Sequence, residues 1–339
     1  MLSTDVGIDL GTSTVLVFVR GRGVVVHEPS IVAVDRRSGA VVAVGSQALA
    51  MLGRTPDSIR AVRPLRDGVV ASYEVTLQML IHLLRAVSGP VRWSRPRAAV
   101  CLPSVVTDVE RRAVVEACRA AGAREVLLVS EPMAAALGAD MPVHEVRGHL
   151  IVDVGGGTTD VAVISMGQEV VSDSVRVAGD HMDDAIARHL RRTYGLEVGE
   201  RTAEEVKRTV GTADPDEKPA PARSMEVRGR DVVTGLPRSV TVTDRSIAAV
   251  LAEPIGAIIS GIRAALERTP PELAADIAGG GLLLTGGGAL LPALDRVIER
   301  ETGLAARVAD DPVGCVARGT GKVLETLRRA RPLAPRFLA

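Results

Sequence analysis

The sequence predicts an α/β fold made of two similar halves that face one another across a cleft. Three observations predict it. Short Val- and Ile-rich runs alternate with helix-period segments along the whole chain, as strands alternating with helices do. The text VGIDLGTSTVLVFV at 6–19 is echoed by IVDVGGGTTDVAVISM at 151–166. Each copy reads as an apolar strand, an Asp, a Gly-rich turn with hydroxyls and a second apolar strand, which suggests a duplicated domain. Finally, 339 residues exceed one ordinary domain, so a ligand cleft between domains is a natural expectation.

The elements follow in order. The chain enters a strand by about Val6 with Asp9 inside it, so no basic-then-apolar signal peptide is expected. Thr107-Asp108-Val109-Glu110 has capping-box spacing; Ala113, Val114, Ala117 and Cys118 follow on one face and Gly122 stops the helix. Thr202 to Glu205 repeats that opening and predicts a second helix start. DPDEKPAPAR at 214–223 has no hydrophobic period and predicts an exposed loop. In LTGGGALLPAL at 284–294 a short strand ends at Thr285 and an apolar helix is predicted near Leu290. Such a turn exposes backbone N–H groups at a helix start.

Composition removes several function classes. The 41 basic and 41 acidic residues balance, so no whole-chain field draws the protein onto nucleic acid. Aromatic side chains are confined to Phe18, Tyr73, Trp93, Tyr194 and Phe337, which leaves the core to Val, Leu, Ile and Ala, as buried parallel sheet permits. Nearly all basic residues are Arg and Asn is absent, a bias of composition rather than a functional device. Cys101, Cys118 and Cys315 are odd in number, widely spaced and set in apolar runs, and predict reduced, buried thiols. The six His are scattered without a ligand cluster, so no His metal site is expected. No uninterrupted apolar run approaches the roughly 18 to 20 residues of a spanning helix, so the protein is expected in the cytosol, touching membrane at most from one side.

The Gly-rich turns carry the chemistry. Gly11-Thr12-Ser13-Thr14 can offer successive N–H groups and hydroxyls to phosphate oxygens, because glycine lets the backbone approach closely. Gly155-Gly156-Gly157-Thr158-Thr159 can do the same from the other side, and together they would clamp a polyphosphate. Each turn follows a carboxylate, and two carboxylates near phosphates suit Mg²⁺ held partly through waters. Asp9 and Asp153 are the candidates. A single Asp there is also an ordinary turn former; the paired setting favours function. Gly286-Gly287-Gly288 alone fits tight strand-to-helix packing equally well. No GxxxxGK[ST] occurs, so the phosphates are not held by a P-loop.

These motifs match a family. DLGT at 9–12, EPMAAA at 131–136, DVGGGTTD at 153–160 and LTGGGALL at 284–291 resemble, in order and spacing, the phosphate and adenosine motifs of the ATPase superfamily of actin, sugar kinases and heat-shock chaperones. Within it the intervening text is similar to the MreB cell-shape family, including its Mbl members, over essentially the whole chain: HEPSIVAVD (27–35), LPSVVTDVERRAV (102–114), VAGDHMDDAI (177–186) and ADDPVGCVARGTGKVLE (309–325).

The resemblance implies an actin-like ATPase fold, two duplicated ribonuclease-H-like domains with a nucleotide cleft between them. Domain I would span 1–145, with a small subdomain inserted near 30–90 and a C-terminal helix at 312–330 returning to it. Domain II would span 146–311, with an insertion near 185–245. Asp9 and Asp153 fall at the metal, and Gly11, Thr12, Ser13 and Thr14 with Gly155, Gly156, Gly157 and Thr158 at the phosphates of ATP. Glu131 falls where the family orients the attacking water, with Thr158 assisting. Before Pro132 it is also a plain helix N-terminal carboxylate. Glu204, Glu205, Val206 and Lys207 fall at the ribose and adenine, and Gly286, Gly287, Gly288 and Ala289 cover the adenosine. Taken alone, Glu204 and Lys207 read as a solvated ion pair. Gly319 lies in a hinge-like segment. The family often has Asn-Thr where this chain has Thr14-Val15, and Glu where it has Asp160, which bears on the rate of hydrolysis.

The resemblance further implies slow ATP hydrolysis with Mg²⁺, polymerisation into filaments of the chain with itself, and attachment to the inner face of the cytoplasmic membrane. Cell-wall synthesis and shape proteins would be partners. Too few residues precede the first strand for an N-terminal amphipathic anchor, so the expected membrane contact is Trp93 with Val91, flanked by Arg92 and Arg95; packing of Trp93 onto its own domain is the alternative. Three rival readings stand beside this one. A small-molecule kinase of the same superfamily would need a sugar pocket and a base, and no segment has that character. A chaperone ATPase domain would want a substrate-binding domain after residue 339. A slow-hydrolysing scaffold paralogue of the same family is the third.

Overall fold

The computed structural model describes residues 5–88, 95–216 and 223–329. In the first half, β1 (Asp5–Leu10), β2 (Thr14–Val19) and β3 (Gly23–Pro29) form an antiparallel meander. A small sheet follows, of β4 (Val32–Asp35), β5 (Val41–Val44) and β6 (Ile59–Val62), with α1 (Ser46–Met51) against it. Next come a two-residue-armed hairpin, β7 (Leu65–Arg66) and β8 (Val69–Val70), then α2 (Tyr73–Ser88), β9 (Arg97–Leu102), α3 (Asp108–Ala120), β10 (Glu125–Ser130) and α4 (Glu131–Gly138).

The second half repeats the scheme with β11 (His149–Val154), β12 (Thr159–Ser165) and β13 (Gln168–Val175), then α5 (Gly179–Tyr194), β14 (Leu196–Glu197) and α6 (Glu200–Val210). The chain continues through β15 (Ser224–Asp231), β16 (Pro237–Thr243), α7 (Asp244–Glu267), α8 (Pro271–Gly280), β17 (Leu282–Thr285), a 3-10 turn at Gly287–Leu290, α9 (Leu294–Thr302), β18 (Ala306–Val308) and α10 (Cys315–Arg329).

The duplication read from the two Asp-Gly segments is a duplication of topology. One sheet has the order β3-β2-β1-β9-β10 and the other β13-β12-β11-β17-β18. In each, the first three strands are antiparallel and the last two add parallel to the first. Asp9 and Asp153 each hold the fifth place of a six-residue strand. Equivalent positions in equivalent strands thus deliver both carboxylates to the same end of their sheets.

Each half has its own apolar core. Val6, Ile8, Val17, Val100 and the inward face of α2 (Met79, Leu80, Leu83) pack in the first, together with Val32 of the small sheet. The small sheet keeps a separate cluster of Ile31, Ala33, Ala43 and Ala48. α3 has the capping box its sequence announces: Thr107 Oγ1 accepts from Glu110 N at 3.3 Å, and Glu110 Oε2 accepts from Thr107 N at 2.7 Å. Its Val114, Ala117 and Cys118 are buried.

Two expectations are corrected. α6 starts at Glu200 behind Gly199, so Thr202 lies in its first turn instead of capping it; the Thr202 amide donates to the Gly199 carbonyl at 3.0 Å. The segment after β17 is a 3-10 turn, and α9 begins only at Leu294, because Pro292 and left-handed Ala293 (φ 64°) break the path. Among the described residues one helix, the 24-residue α7, is long and apolar enough to cross a membrane by length and mean composition, although Glu253 and Arg263 interrupt its apolar run. Its Ile247, Leu251, Ile255, Ile258 and Ile262 are buried in the second core, as in a core helix.

The halves are joined where α4 and α10 cross between the two sheets, within a cluster that includes Cys101, Ala134, Ile151, Ala162, Leu283 and Val316. The crossing has no room for side chains. A Cβ on Gly138 would stand 1.8 Å from the Cys315 carbonyl oxygen, and one on Gly319 1.8 Å from that of Ala134. At the C-terminal end of α4, Lys322 Nζ donates to the Leu137 carbonyl at 2.7 Å and Arg318 Nε to that of Gly138 at 3.3 Å. These cations answer the negative end of the helix. Overpacking of this kind costs about 1–3 kcal/mol, so Gly319→Ala is expected to lower the urea-unfolding free energy by that amount. Gly256→Ala, in the exposed and open middle of α7, is expected to be neutral or stabilising in the same titration.

Candidate functional site

The two echoed hairpins meet tip to tip. The second turn is closed by the Gly155 amide donating to the Thr158 carbonyl at 2.9 Å. A Cβ on Gly156 would stand 2.2 Å from Ser13 Oγ, and one on Gly157 2.7 Å from Thr12 Oγ1. Glycine at both places lets the turns approach. Ser13 Oγ donates across the gap to Asp180 Oδ1 at 2.6 Å.

Beside them lies a cleft of about 1820 Å³ that brings together Asp9, the turn 11–14, Glu131, Asp153, the turn 155–158, Glu204, Glu205, Lys207 and Gly286 to Gly288. Two residues expected there point elsewhere. Val206 and Ala289 are buried in the second core, because helical periodicity turns position 206 inward while its neighbours face the cleft. The alternative reading, a solvated Glu204–Lys207 pair, does not form either. Glu204 pairs with Arg208 at 2.7 Å, and Lys207 reaches inward to Asp183 Oδ2 and the Gly179 carbonyl, both at 2.8 Å. Trp93 and Val91 lie outside the described residues.

The floor of the cleft is a cluster of carboxyl groups. Asp153 is buried, accepts from Thr285 Oγ1 at 2.7 Å and stands opposite Asp160 in the β11–β12 ladder. Asp160 accepts from Ser104 N of the other half at 2.9 Å. Glu131 opens α4 with Pro132 behind it, so its position follows from the α4–α10 crossing. Burial and then the charge of Asp153 push the Asp9 carboxyl up to about 8. Burial pushes Asp153 up to about 7 against the Thr285 hydroxyl, which pulls it down. Burial, followed by Asp160, Asp9 and Asp153, holds Glu131 well above the ordinary carboxylate range. Beside Lys207, burial still raises Asp183 to about 7.

A cation bound beside these carboxyl groups would favour their ionised forms. Among the described residues no group of three or more His, Cys, Asp or Glu is arranged to hold a metal. Two carboxylates at the phosphate turns nevertheless fit Mg²⁺, which keeps several waters and takes the rest of its shell from phosphates. The donor set fits that ion better than a softer one.

Sequence reasoning missed the hairpin β7–β8. Asp67, with φ 50°, and Gly68, with φ 75°, form its turn. A Cβ on Gly157 would come within 2.9 Å of the Asp67 backbone, so this tip rests on the second phosphate turn. The dipeptide Asp-Gly between Leu65-Arg66 and Val69-Val70 was a legible hairpin signal; its destination was not.

Two duplicated α/β halves with Asp-bearing hairpins meeting at an interdomain cleft define the actin-like ATPase fold. The chain belongs to the MreB/Mbl protein family, whose model matches residues 3–332. It is 50% identical over 332 residues to the cell shape-determining protein MreB of Escherichia coli (strain K12), covering 96% of this chain and 95% of that protein. It is 46% identical over 327 residues to the cell shape-determining protein Mbl of Bacillus subtilis (strain 168), covering 96% and 97%. A crystal structure of MreB5 of Spiroplasma citri bound to AMPPNP superposes with a TM-score of 0.92 at 38% identity, covering 98% of this chain and 99% of that one.

The carboxyl cluster makes stability depend on pH. Asp9 and Asp153 take up protons more readily folded than unfolded, so the stability they contribute is full below about 3.8 and is lost as pH rises through about 7 to 8. In EDTA and without nucleotide, the thermal midpoint is expected to fall between pH 5 and pH 8. Asp9→Asn should flatten that slope; an unchanged slope would mean the Asp9 carboxyl is not raised.

Proposed function

We propose that this chain is a cytoskeletal ATPase that binds ATP with Mg²⁺ in the interdomain cleft, hydrolyses it slowly, and polymerises on the cytoplasmic face of the membrane to organise cell-wall synthesis and cell shape. The observation that carries the nucleotide reading is the apposition of two phosphate-sized turns, each behind an Asp, above the half-buried Glu131. The AMPPNP bound by the similar MreB5 protein supports it, since AMPPNP is an ATP analogue.

In this reading the N–H groups and hydroxyls of residues 11–14 and 155–158 bind the β- and γ-phosphates. Asp9 and Asp153 would hold Mg²⁺, partly through waters, and the ion supplies charge neutralisation to the phosphate oxygens. Glu131 accepts a hydrogen bond from the attacking water and aims it at the γ-phosphorus, with Thr158 as second contact. The water oxygen bonds to phosphorus, the bond to the bridging oxygen breaks, and ADP, phosphate and a proton leave. Glu131 is the stronger acceptor and base when ionised, and a cation held by the neighbouring Asp pair would favour that form.

Polymerisation is supported by family membership, and a filament needs a head-to-tail contact whose rotation does not close into a ring. Membrane attachment is assigned to Trp93 and Val91, where a lone indole lies between arginines suited to anionic lipid.

Two measurements test this. Glu131→Ala is expected to lower Mg²⁺-dependent phosphate release by about 10²-fold or more while a fluorescent ATP analogue still binds; equal turnover in the variant removes Glu131 from the chemistry. Electron microscopy on anionic vesicles should show filaments on the lipid with ATP and Mg²⁺, lost from the lipid in Trp93→Ser. ATP binding without filaments under any condition would favour a small-molecule kinase.

A further inference from the structure

Thr12, in the first phosphate turn, is gripped at both ends by the first small sheet and its hairpin. The Gly68 amide donates to Thr12 Oγ1 at 3.2 Å, and Arg63 Nη1 donates to the Thr12 carbonyl at 3.4 Å. The same guanidinium has a second partner. Arg63 Nη2 stands 3.3 Å from Glu200 Oε2 at the start of α6, on the opposite wall of the cleft. One rigid fork therefore touches the phosphate turn with one nitrogen and bridges the cleft mouth with the other, with the two contacts held in the fixed relation of a planar guanidinium.

We propose that Arg63 is a positioning residue for phosphoryl transfer: it locks the Thr12 turn in its working geometry only while the mouth is closed against Glu200. The proposal rests on the ATPase reading above. With the mouth open, the guanidinium loses Glu200 and its orientation, and the Thr12 carbonyl loses a fixed donor. The pair itself is weak, because its side chains are 28% and 60% exposed and such pairs contribute little to stability. The consequence falls on alignment, where displacement of a positioning group by about 1 Å can cost about 10²-fold in rate. The bonds at 3.3–3.4 Å are long, as catalytic contacts often are before ligand tightens them.

Neighbouring contacts point the same way. The hairpin tip bearing Asp67 and Gly68 rests on Gly157 and approaches Thr158, since a Cβ on Gly68 would stand 3.0 Å from Thr158 Cγ2. Asp67 Oδ1 also lies 4.0 Å from His181 Nε2 of the second half. Both phosphate turns are thus seated on the hairpin that directly follows the first small sheet in the chain.

The test compares wild type with Arg63→Ala, Glu200→Ala and the swap Arg63→Glu/Glu200→Arg, reading thermal midpoint, fluorescent ATP-analogue affinity, and KM and kcat for Mg²⁺-dependent phosphate release. Arg63→Ala is expected to lower kcat by about tenfold or more with affinity within about threefold and the midpoint unchanged. Glu200→Ala should lower kcat by only about two- to fivefold. The swap restores attraction across the mouth but sets a carboxylate beside the Thr12 carbonyl, so kcat should stay low. Full recovery in the swap would overturn the Thr12 grip, and wild-type kcat in Arg63→Ala would overturn the proposal whole. Loss of affinity or of the midpoint in proportion to kcat would make Arg63 a binding or structural residue and overturn it too. Absence of turnover in the wild type would instead sink the ATPase reading itself.

Discussion

Everything in this molecule hangs on the crossing of α4 and α10. Backbone meets backbone there, at Gly138 against Cys315 and at Ala134 against Gly319. Because no side chain intervenes, the crossing cannot slide or tilt without steric cost, and close-packed contacts of this kind transmit position well. α10 comes from the end of the described chain and lies against the first half through Gly7 and Phe18, while α4 leads out of that half toward the second. The two sheets are therefore referred to one junction. The first residue of α4 is Glu131, so the same contact that joins the halves also sets the base of the cleft.

The second constraint is electrostatic. A chain with balanced total charge gathers Asp9, Glu131, Asp153 and Asp160 where burial raises them all, with repulsion from neighbouring carboxylates, Glu169 in the case of Asp160, adding to it. Such an arrangement costs stability in the empty protein and is tolerated where a ligand compensates it. The turns above the cluster are built to the opposite purpose, presenting N–H groups and hydroxyls to anions. Acid floor and anion-binding rim are consistent with a ligand that carries both signs, as a metal-bound polyphosphate does.

Much of the fold was legible because it is local. The strand-Asp-turn-strand units at 6–19 and 151–166 are hairpins in the structure, with registers Asp9 to Leu16 and Asp153 to Asp160. The α3 capping box is written in four consecutive residues and forms as written. Misreadings came where local signals compete. Thr202 to Glu205 has cap spacing, yet Gly199 ends the extended segment first. The run after Gly288 has helical apolarity, yet Pro292 delays the helix.

The sequence by itself determined the alternation of strands and helices, the duplication, the two hydroxyl-bearing turns behind Asp9 and Asp153, and the likeness to the MreB family. All of these follow from residue order over short spans. Tertiary structure alone decided that Lys207 turns from Glu204 to Asp183, that Val206 and Ala289 face the core, that the Asp67–Gly68 tip seats on the second phosphate turn, and that Arg63 spans the cleft to Glu200. The physical reason is that each of these choices is a competition between a near partner and a distant one. The distant one prevails only after packing has removed water and fixed the geometry between segments that lie far apart in the chain.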